Sequence, residues 1–127
     1  GDWFEVVELE DGRLGLIVGD VVGHGVDAAA EMSQISGVLA TLLRVGTPLG
    51  ELFVRVHEAA RVTEPRFLAT ASVVVGDRAT GRSRYVSAGQ PVPFVAASDG
   101  SVTTSGLTVL DDAARRRLDV RPDDSPA

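Results

Sequence analysis

The residues most able to do chemistry stand in one short stretch, positions 19–25, which reads GDVVGHG. Its aspartate, Asp20, follows the apolar run 14–18 and therefore lies at the end of a predicted strand. The surrounding glycines would let the backbone and a ligand approach each other closely. A strand-end carboxylate beside exposed main-chain carbonyls is a natural ligand for a hard divalent cation. We therefore interpret this stretch as half of a metal site for phosphate chemistry.

A second carboxylate, Asp2, is the candidate for the other half of this site. Two-metal phosphatases place carboxylates around two cations, which generate an attacking hydroxide and hold the phosphoryl oxygens. Asp2, Asp20 and the main-chain carbonyl of Val21 form a partial shell that would suit Mg²⁺ or Mn²⁺. The chain contains no cysteine, which excludes thiolate chemistry and agrees with a mechanism without a protein nucleophile.

Simpler interpretations of the same residues stay open at this point. A strand-end aspartate before glycine is often only a turn or helix cap, and Asp2 could be merely solvated. The glycine turn could instead hold a phosphate on its amides, although it matches neither a P-loop nor the full dinucleotide fingerprint. His24 lies between Gly23 and Gly25. It is either a catalytic acid, a hydrogen-bonding partner of the ligands, or only a cap for the turn.

The two aspartates are brought together by a predicted hairpin of strands 3–9 and 14–20, with its turn at residues 10–13. A two-residue loop at Asp11 and Gly12 would pair Trp3 with Asp20, so the two carboxylates would point to opposite faces of the sheet. A loop one residue longer, or a bulge, would restore a shared face. If both carboxylates bind metal, we therefore expect such an irregularity in the hairpin.

The remaining elements follow from apolar periodicity and from turn residues. Helices are predicted at 26–45 and 48–61, and strands at 67–76, 82–88, 92–97 and 101–104. The order ββααβββ, possibly with one more strand, predicts an α+β domain with mostly antiparallel pairing. Residues 1–110 would form the domain, and the polar stretch 111–127 would be a solvated or disordered tail.

Composition limits the classes of function. The 127 residues suffice for a single domain, and 44% of them are hydrophobic, which supports a real core. A net charge of −6 argues against nucleic-acid binding, which depends on contacts to phosphate. We find neither a membrane-length apolar segment nor a signal peptide, and we expect a cytoplasmic location. A start without methionine, inside a strand-like pattern, suggests a piece of a longer chain.

Several short motifs together resemble one family of enzymes. They are GDWF at 1–4, DGRL at 11–14, the stretch 19–25 with AA at 28–29, FLATA at 67–71, TG at 80–81, YVSAG at 85–89 and PVP at 91–93. In this order and spacing they resemble the bacterial SpoIIE-like branch of the PPM-type serine/threonine phosphatases, which are related to protein phosphatase type two C. The resemblance extends from residue 1 to about residue 100.

The resemblance implies an αββα sandwich of two antiparallel sheets with helices outside and metals at one edge. It implies Asp2 and Asp20 as the catalytic carboxylates, which bind Mn²⁺ or Mg²⁺ together with the Val21 carbonyl; two ions are expected in the complete domain. It further implies hydrolysis of phosphoserine or phosphothreonine by a metal-activated water. The usual substrate of this branch is a STAS-type anti-sigma-factor antagonist. The helix pair at 26–61 resembles the region that transmits regulation and dimerisation, so a homodimer through these helices is implied.

The chain departs from the family pattern at several points. A downstream Thr-Asp-Gly stretch, whose aspartate is a further metal ligand in the family, has no counterpart after residue 110, which predicts a domain that is incomplete at its C-terminus. Glu5 stands where the family usually has aspartate, and Gln90 where it usually has histidine. These departures support a rival hypothesis, in which the domain is degenerate and binds a protein partner without hydrolysis.

Overall fold

A computed structural model of the chain describes residues 1–63, 67–91, 93–103, 107–109 and 118–120. Two helices, α1 (Val26–Arg44) and α2 (Leu52–Thr63), follow the first two strands, and a short 3-10 turn at Leu49–Glu51 leads into α2. The strands are β1 (Asp2–Glu8), β2 (Arg13–Val21), β3 (Phe67–Asp77), β4 (Ser83–Ala88), β5 (Val95–Ala96), β6 (Val102–Thr103), β7 (Leu107–Val109) and β8 (Leu118–Val120). The α+β class predicted from the sequence is therefore confirmed.

The strands form one large sheet and a small ribbon. The large sheet has the order β1-β2-β3-β4-β7, and β8 pairs with the first part of the long strand β3. All of these pairings are antiparallel except that of β4 with β7. In the part of the chain that the structure describes, β5 and β6 pair only with each other. The mostly antiparallel pairing expected from the sequence is thus observed within the described residues.

The core lies between the large sheet and the helices. Alternate residues of β2 and β3 are buried, and alternate residues of β1 are buried or half-buried, as expected for strands with one covered face. On the helical side Ile35 and Leu39 of α1 and Leu52 of α2 belong to the same buried cluster. Because burying each such side chain stabilises the fold by roughly 1.5–3 kcal/mol, this contact fixes the helices on the sheet.

Helix α1 ends in a glycine cap. Gly46 has a φ of +82°, and the amide of Thr47 donates to the carbonyl of Leu42 at 3.0 Å, which satisfies one of the last helical carbonyls. Pro48 follows, and it cannot continue a helix. The structure therefore ends α1 where the sequence predicts the break between the two helices, at Gly46–Pro48.

The predicted boundaries differ from the observed ones in the C-terminal part. The strand expected at 92–97 is limited to Val95–Ala96, and Val92 lies outside the described residues. Within the expected tail 111–127, Leu118–Val120 forms a strand that pairs with Phe67–Ala69. The boundary at residue 110 and the character of the tail stay predictions. The other positions of that segment lie outside the described residues.

Candidate metal and phosphate site

The hairpin of β1 and β2 has a three-residue loop. A 3-10 turn occupies Glu10–Gly12, and the amide of Leu9 donates to the carbonyl of Arg13 at 3.0 Å. Asp11, at φ +60°, is the one described non-glycine residue with a positive φ. The loop is therefore one residue longer than the two-residue turn, as the shared-face hypothesis required.

This loop sets a register in which Asp2 and Asp20 are direct partners. Gly1 and Val21 exchange both main-chain hydrogen bonds. Because hydrogen-bonded and non-hydrogen-bonded pairs alternate along an antiparallel ladder, Asp2 and Asp20 form a non-hydrogen-bonded pair. Such partners have Cα atoms about 4.5 Å apart and the closest side chains in the ladder. Both aspartates are exposed, and they lie on the sheet face opposite the helices.

The carboxylates of Asp2 and Asp20 place two negative charges directly opposite each other. Like charges directly opposite each other on neighbouring strands destabilise a sheet, so this pairing favours a bound cation. Near Asp20 the main-chain nitrogen of Gly1 donates to the carbonyls of Val21 and Gly23. Carboxylate and main-chain carbonyl oxygens are hard ligands, which fits Mg²⁺ or Mn²⁺.

The turn after Asp20 depends on glycine. Gly23 and Gly25 have φ values of +90° and +94°, a region that other residues rarely adopt. They redirect the chain from β2 into α1, whose first residue is Val26. His24 between them is exposed, and it has no hydrogen-bond partner among the described residues. The structure therefore places His24 in the turn that follows Asp20, without a hydrogen bond to either aspartate.

The candidate site contains two acidic side chains, those of Asp2 and Asp20. Within the described part of the chain, no group of three or more histidine, cysteine, aspartate or glutamate residues could hold a metal ion. Asp2, Asp20 and the Val21 carbonyl are therefore the partial shell that the sequence predicted, and their role as ligands remains a prediction.

Two features near the carboxylates were missed by the sequence analysis. The indole ring of Trp3 lies directly over Gly19, where an added Cβ would come within 2.2 Å of the ring. A glycine inside a strand pattern often marks such a close approach, so a signal for this contact existed. Thr70, which pairs with Asp20 across β2 and β3, accepts a hydrogen bond from the side chain of Gln90. No local pattern in the sequence predicts this contact.

The structure thus defines an α+β domain whose large sheet carries a carboxylate pair at one end of its open face. A family model described as "Stage II sporulation protein E (SpoIIE)" matches residues 10–112. The chain belongs to this family, as the motifs of the sequence indicated. The match includes Asp20 and the glycine turn, whereas Asp2 lies before it.

The solved structures that are similar to the chain include two proteins with related names. The RsbU and RsbW domains of Rv1364c from Mycobacterium tuberculosis match with 38% identity and a TM-score of 0.71, over 81% of this chain and 29% of that one. A Stage II sporulation E family protein from Thermanaerovibrio acidaminovorans matches with 17% identity and a TM-score of 0.54, over 69% of this chain and 45% of that one. The second likeness concerns the fold alone. The chain therefore spans less than half the length of either protein.

Within the described residues, neither helix is both long and apolar enough to cross a membrane.

Proposed function

We propose that the chain is part of a metal-dependent protein phosphatase that hydrolyses phosphoserine or phosphothreonine on a regulatory protein. The observation that carries this proposal is the direct pairing of Asp2 with Asp20 on the open face of the sheet. The substrate we propose is a phosphorylated STAS-type anti-sigma-factor antagonist, and the location we propose is the cytoplasm. The family and the similarity to an RsbU domain support this role.

In this proposal each residue has a defined part. Asp2, Asp20 and the Val21 carbonyl would hold Mn²⁺ or Mg²⁺, and the bound ions would activate a water for attack on phosphorus and neutralise the phosphoryl oxygens. Gly23 and Gly25 shape the turn that keeps the Val21 carbonyl beside Asp20. The exposure of both aspartates leaves room for a phosphorylated side chain of a protein substrate, since the Asp20 side chain is 55% exposed.

The first experiment measures metal binding. Titration with Mn²⁺, followed by electron paramagnetic resonance and by the melting temperature, should show binding that stabilises the chain. Asp2→Asn and Asp20→Asn should each weaken this binding by tenfold or more, because a charged ligand is lost and the carbonyl of Asn is a poorer donor. Asp11→Asn is the matched control, since it removes an aspartate at the other end of the hairpin and asparagine tolerates a positive φ.

The second experiment measures the reaction. A phosphoserine STAS protein should release little phosphate with Mn²⁺ and this chain alone, because the ligand shell lacks a carboxylate, and more with a C-terminally extended version. Asp20→Asn should abolish the release in both. Manganese-dependent hydrolysis that survives in both aspartate variants would contradict the assignment. Binding of the STAS protein without phosphate release by the extended version, at any metal concentration, would instead support the alternative of a degenerate domain that serves as a protein-interaction module.

A homodimer through the helices is a further part of the proposal. The described contacts between α1 and α2 belong to one chain, and several small residues of α1 are exposed: Ala29, Ala30, Ser33 and Gly37. Sedimentation equilibrium of the wild type and of Gly37→Arg would test this surface. A monomer at all concentrations in the wild type would contradict it.

A further inference from the structure

Two polar side chains, Thr70 and Gln90, continue the row of the carboxylate pair across the sheet. Thr70 is the direct partner of Asp20 in the ladder between β2 and β3, so the two side chains share one face. The alternation of the ladder makes Asp20 and Thr70 a hydrogen-bonded pair, with Cα atoms about 5.5 Å apart. Asp2, Asp20 and Thr70 therefore stand side by side at one end of the open face.

The loop that carries Gln90 is held against this end of the sheet at two points. Gly89 forms a bridge to Ala71 of β3, and the hydroxyl of buried Ser87 donates to the carbonyl of Gln90 at 3.0 Å. The Gln90 side-chain amide donates to the Thr70 hydroxyl oxygen at 2.5 Å. Because its backbone is anchored on both sides, Gln90 reaches Thr70 from a fixed direction.

This contact leaves the Thr70 proton available. A threonine hydroxyl has one proton to donate and two positions that accept, and the Gln90 amide takes one of the accepting positions. Among the described residues no acceptor is found for the Thr70 proton. Thr70 and Gln90 are both half-buried, so the arrangement is partly shielded from water and partly accessible.

We propose that the Thr70 hydroxyl donates a hydrogen bond to a phosphoryl oxygen of the substrate bound at Asp2 and Asp20. In this arrangement Gln90 is a positioning residue, which acts through Thr70 by occupying the accepting side of its hydroxyl. A phosphoryl group offers oxygens that only accept hydrogen bonds, and a neutral donor beside it adds attraction without competing with the cations for Asp20. This inference rests on the function proposed above.

The test measures phosphate binding separately from metal binding. The ¹⁵N-labelled chain is titrated first with Mg²⁺ and then with inorganic phosphate, and NMR follows the side-chain amide of Gln90 and the backbone amides around Asp20. Phosphate should shift the Gln90 amide resonances in the wild type. Thr70→Val should weaken phosphate binding about tenfold, as expected for one hydrogen bond to a charged group, and leave Mg²⁺ binding unchanged.

Further variants separate positioning from packing. Thr70→Ser keeps a hydroxyl and should retain most of the phosphate affinity, whereas Gln90→Leu should lower it without changing Mg²⁺ binding. Thr41→Val, on the exposed side of α1, is the control for loss of a hydroxyl elsewhere and should bind as the wild type does.

The outcomes distinguish the two proposals. If Asp20→Asn abolishes phosphate binding and Thr70→Val leaves it unchanged, the role of Thr70 is wrong while the proposed function stands. Equal losses in Thr70→Val and Thr70→Ser would also overturn that role, because packing alone would explain them. If neither Mg²⁺ nor phosphate binds in an Asp20-dependent way, the proposed function fails and the inference fails with it.

Discussion

At the scale of single residues, the candidate site depends on side chains that are far apart in sequence. Asp2 and Asp20 become partners only because the hairpin loop has three residues. A loop shorter by one residue would have moved Asp20 to the helical face, since successive side chains of a strand alternate between faces. The geometry of the site is therefore determined by backbone conformation at Asp11 and Gly12, at the opposite end of the hairpin.

Gly19, beside Asp20, provides a direct test of how tightly the site is supported. In Gly19→Ala the new Cβ would lie 2.2 Å from the Trp3 ring, so the indole must move. We expect the free energy of unfolding to fall by about 1–3 kcal/mol, as for other overpacked sites. Trp3 directly follows Asp2, and Gly19 directly precedes Asp20. A shift of the indole should therefore weaken Mn²⁺ binding as well. Urea denaturation and metal titration measure the two effects.

The matched control is another glycine of the sheet. In Gly76→Ala the new Cβ would lie 3.3 Å from the Ser83 hydroxyl, which can rotate away. We expect this variant to change stability by less than about 0.5 kcal/mol and to bind Mn²⁺ normally. Equal effects of the two substitutions would show that the contact with Trp3 has no special importance.

The sequence allowed single residues to be proposed for the site, a role that stays a prediction, but it did not predict their contacts. Asp20 could be proposed as a ligand because it ends a predicted strand beside a glycine-rich turn, and Asp2 because the predicted hairpin brings it to the same end of the sheet. The pairing of Thr70 with Asp20 could not be predicted, because it depends on the register between β2 and β3. Both helices lie between these two strands in the sequence. The contact between Thr70 and Gln90 depends in addition on how one loop folds back.

At the scale of the elements, one polar contact joins α1 to the strand that carries Asp2. The Ser36 hydroxyl donates to the carboxylate of Glu5, which is half-buried on the helical face of β1. We expect Ser36→Ala to destabilise the fold by about 1–3 kcal/mol, because a carboxylate at the interface would lose its hydrogen-bond donor. Chemical denaturation measures this change.

Ser33→Ala is the control for the Ser36 variant. Ser33 is exposed on the same helix, and alanine is a better helix former than serine, so no loss of stability is expected. Equal stability of Ser36→Ala and the wild type would contradict the idea that this hydrogen bond holds α1 on β1.

The pH dependence of the chain's stability should include a contribution from Glu31, which lies on α1. Burial raises the pKa of Glu31 above its ordinary value of 4.5, and the negative charge of Asp27 raises it further. The folded chain therefore binds more protons than the unfolded chain in the pH range just above 4.5, so this contribution to stability is lost as pH rises through that range. Glu31→Gln should remove this slope and raise the melting temperature slightly at neutral pH.

A matched control is Glu51→Gln, because Glu51 lies on the surface 3.8 Å from Arg55. This substitution should lower stability by less than about 0.5 kcal/mol, as is usual for exposed ion pairs. Melting temperatures of both variants, measured over the acidic pH range, test this prediction. A slope in Glu31→Gln as steep as in the wild type would contradict the assignment.

Local elements were predictable and distant pairings were not. The strands of the first hairpin and both helices were predicted within a few residues, since strong periodicity and glycine or proline breaks define them. In contrast, β7 and β8 are three residues long and pair with strands that lie well before them in sequence. So short a segment carries no periodic signal, and only the completed sheet selects its partner.

At the scale of the whole molecule, the large sheet has two unlike faces. One is covered by α1 and α2. The opposite face carries the carboxylate pair and, directly beside it, apolar partners in the same ladder. Phe4 pairs with Val18, and Val6 pairs with Leu16. We call these four residues the open apolar face. They are between 43% and 79% exposed.

This open apolar face should govern how the chain behaves in solution. Contiguous exposed apolar surface of this kind promotes association, so we expect sedimentation velocity to show larger species as concentration rises. The double variant Phe4→Thr with Leu16→Thr should shift the chain towards smaller species, since threonine is polar and suits a strand. Val102→Thr on β6, where Val102 is 64% exposed outside this face and outside the two helices, is the control and should associate as the wild type does. Equal association of the double variant and the wild type would show that another surface is responsible.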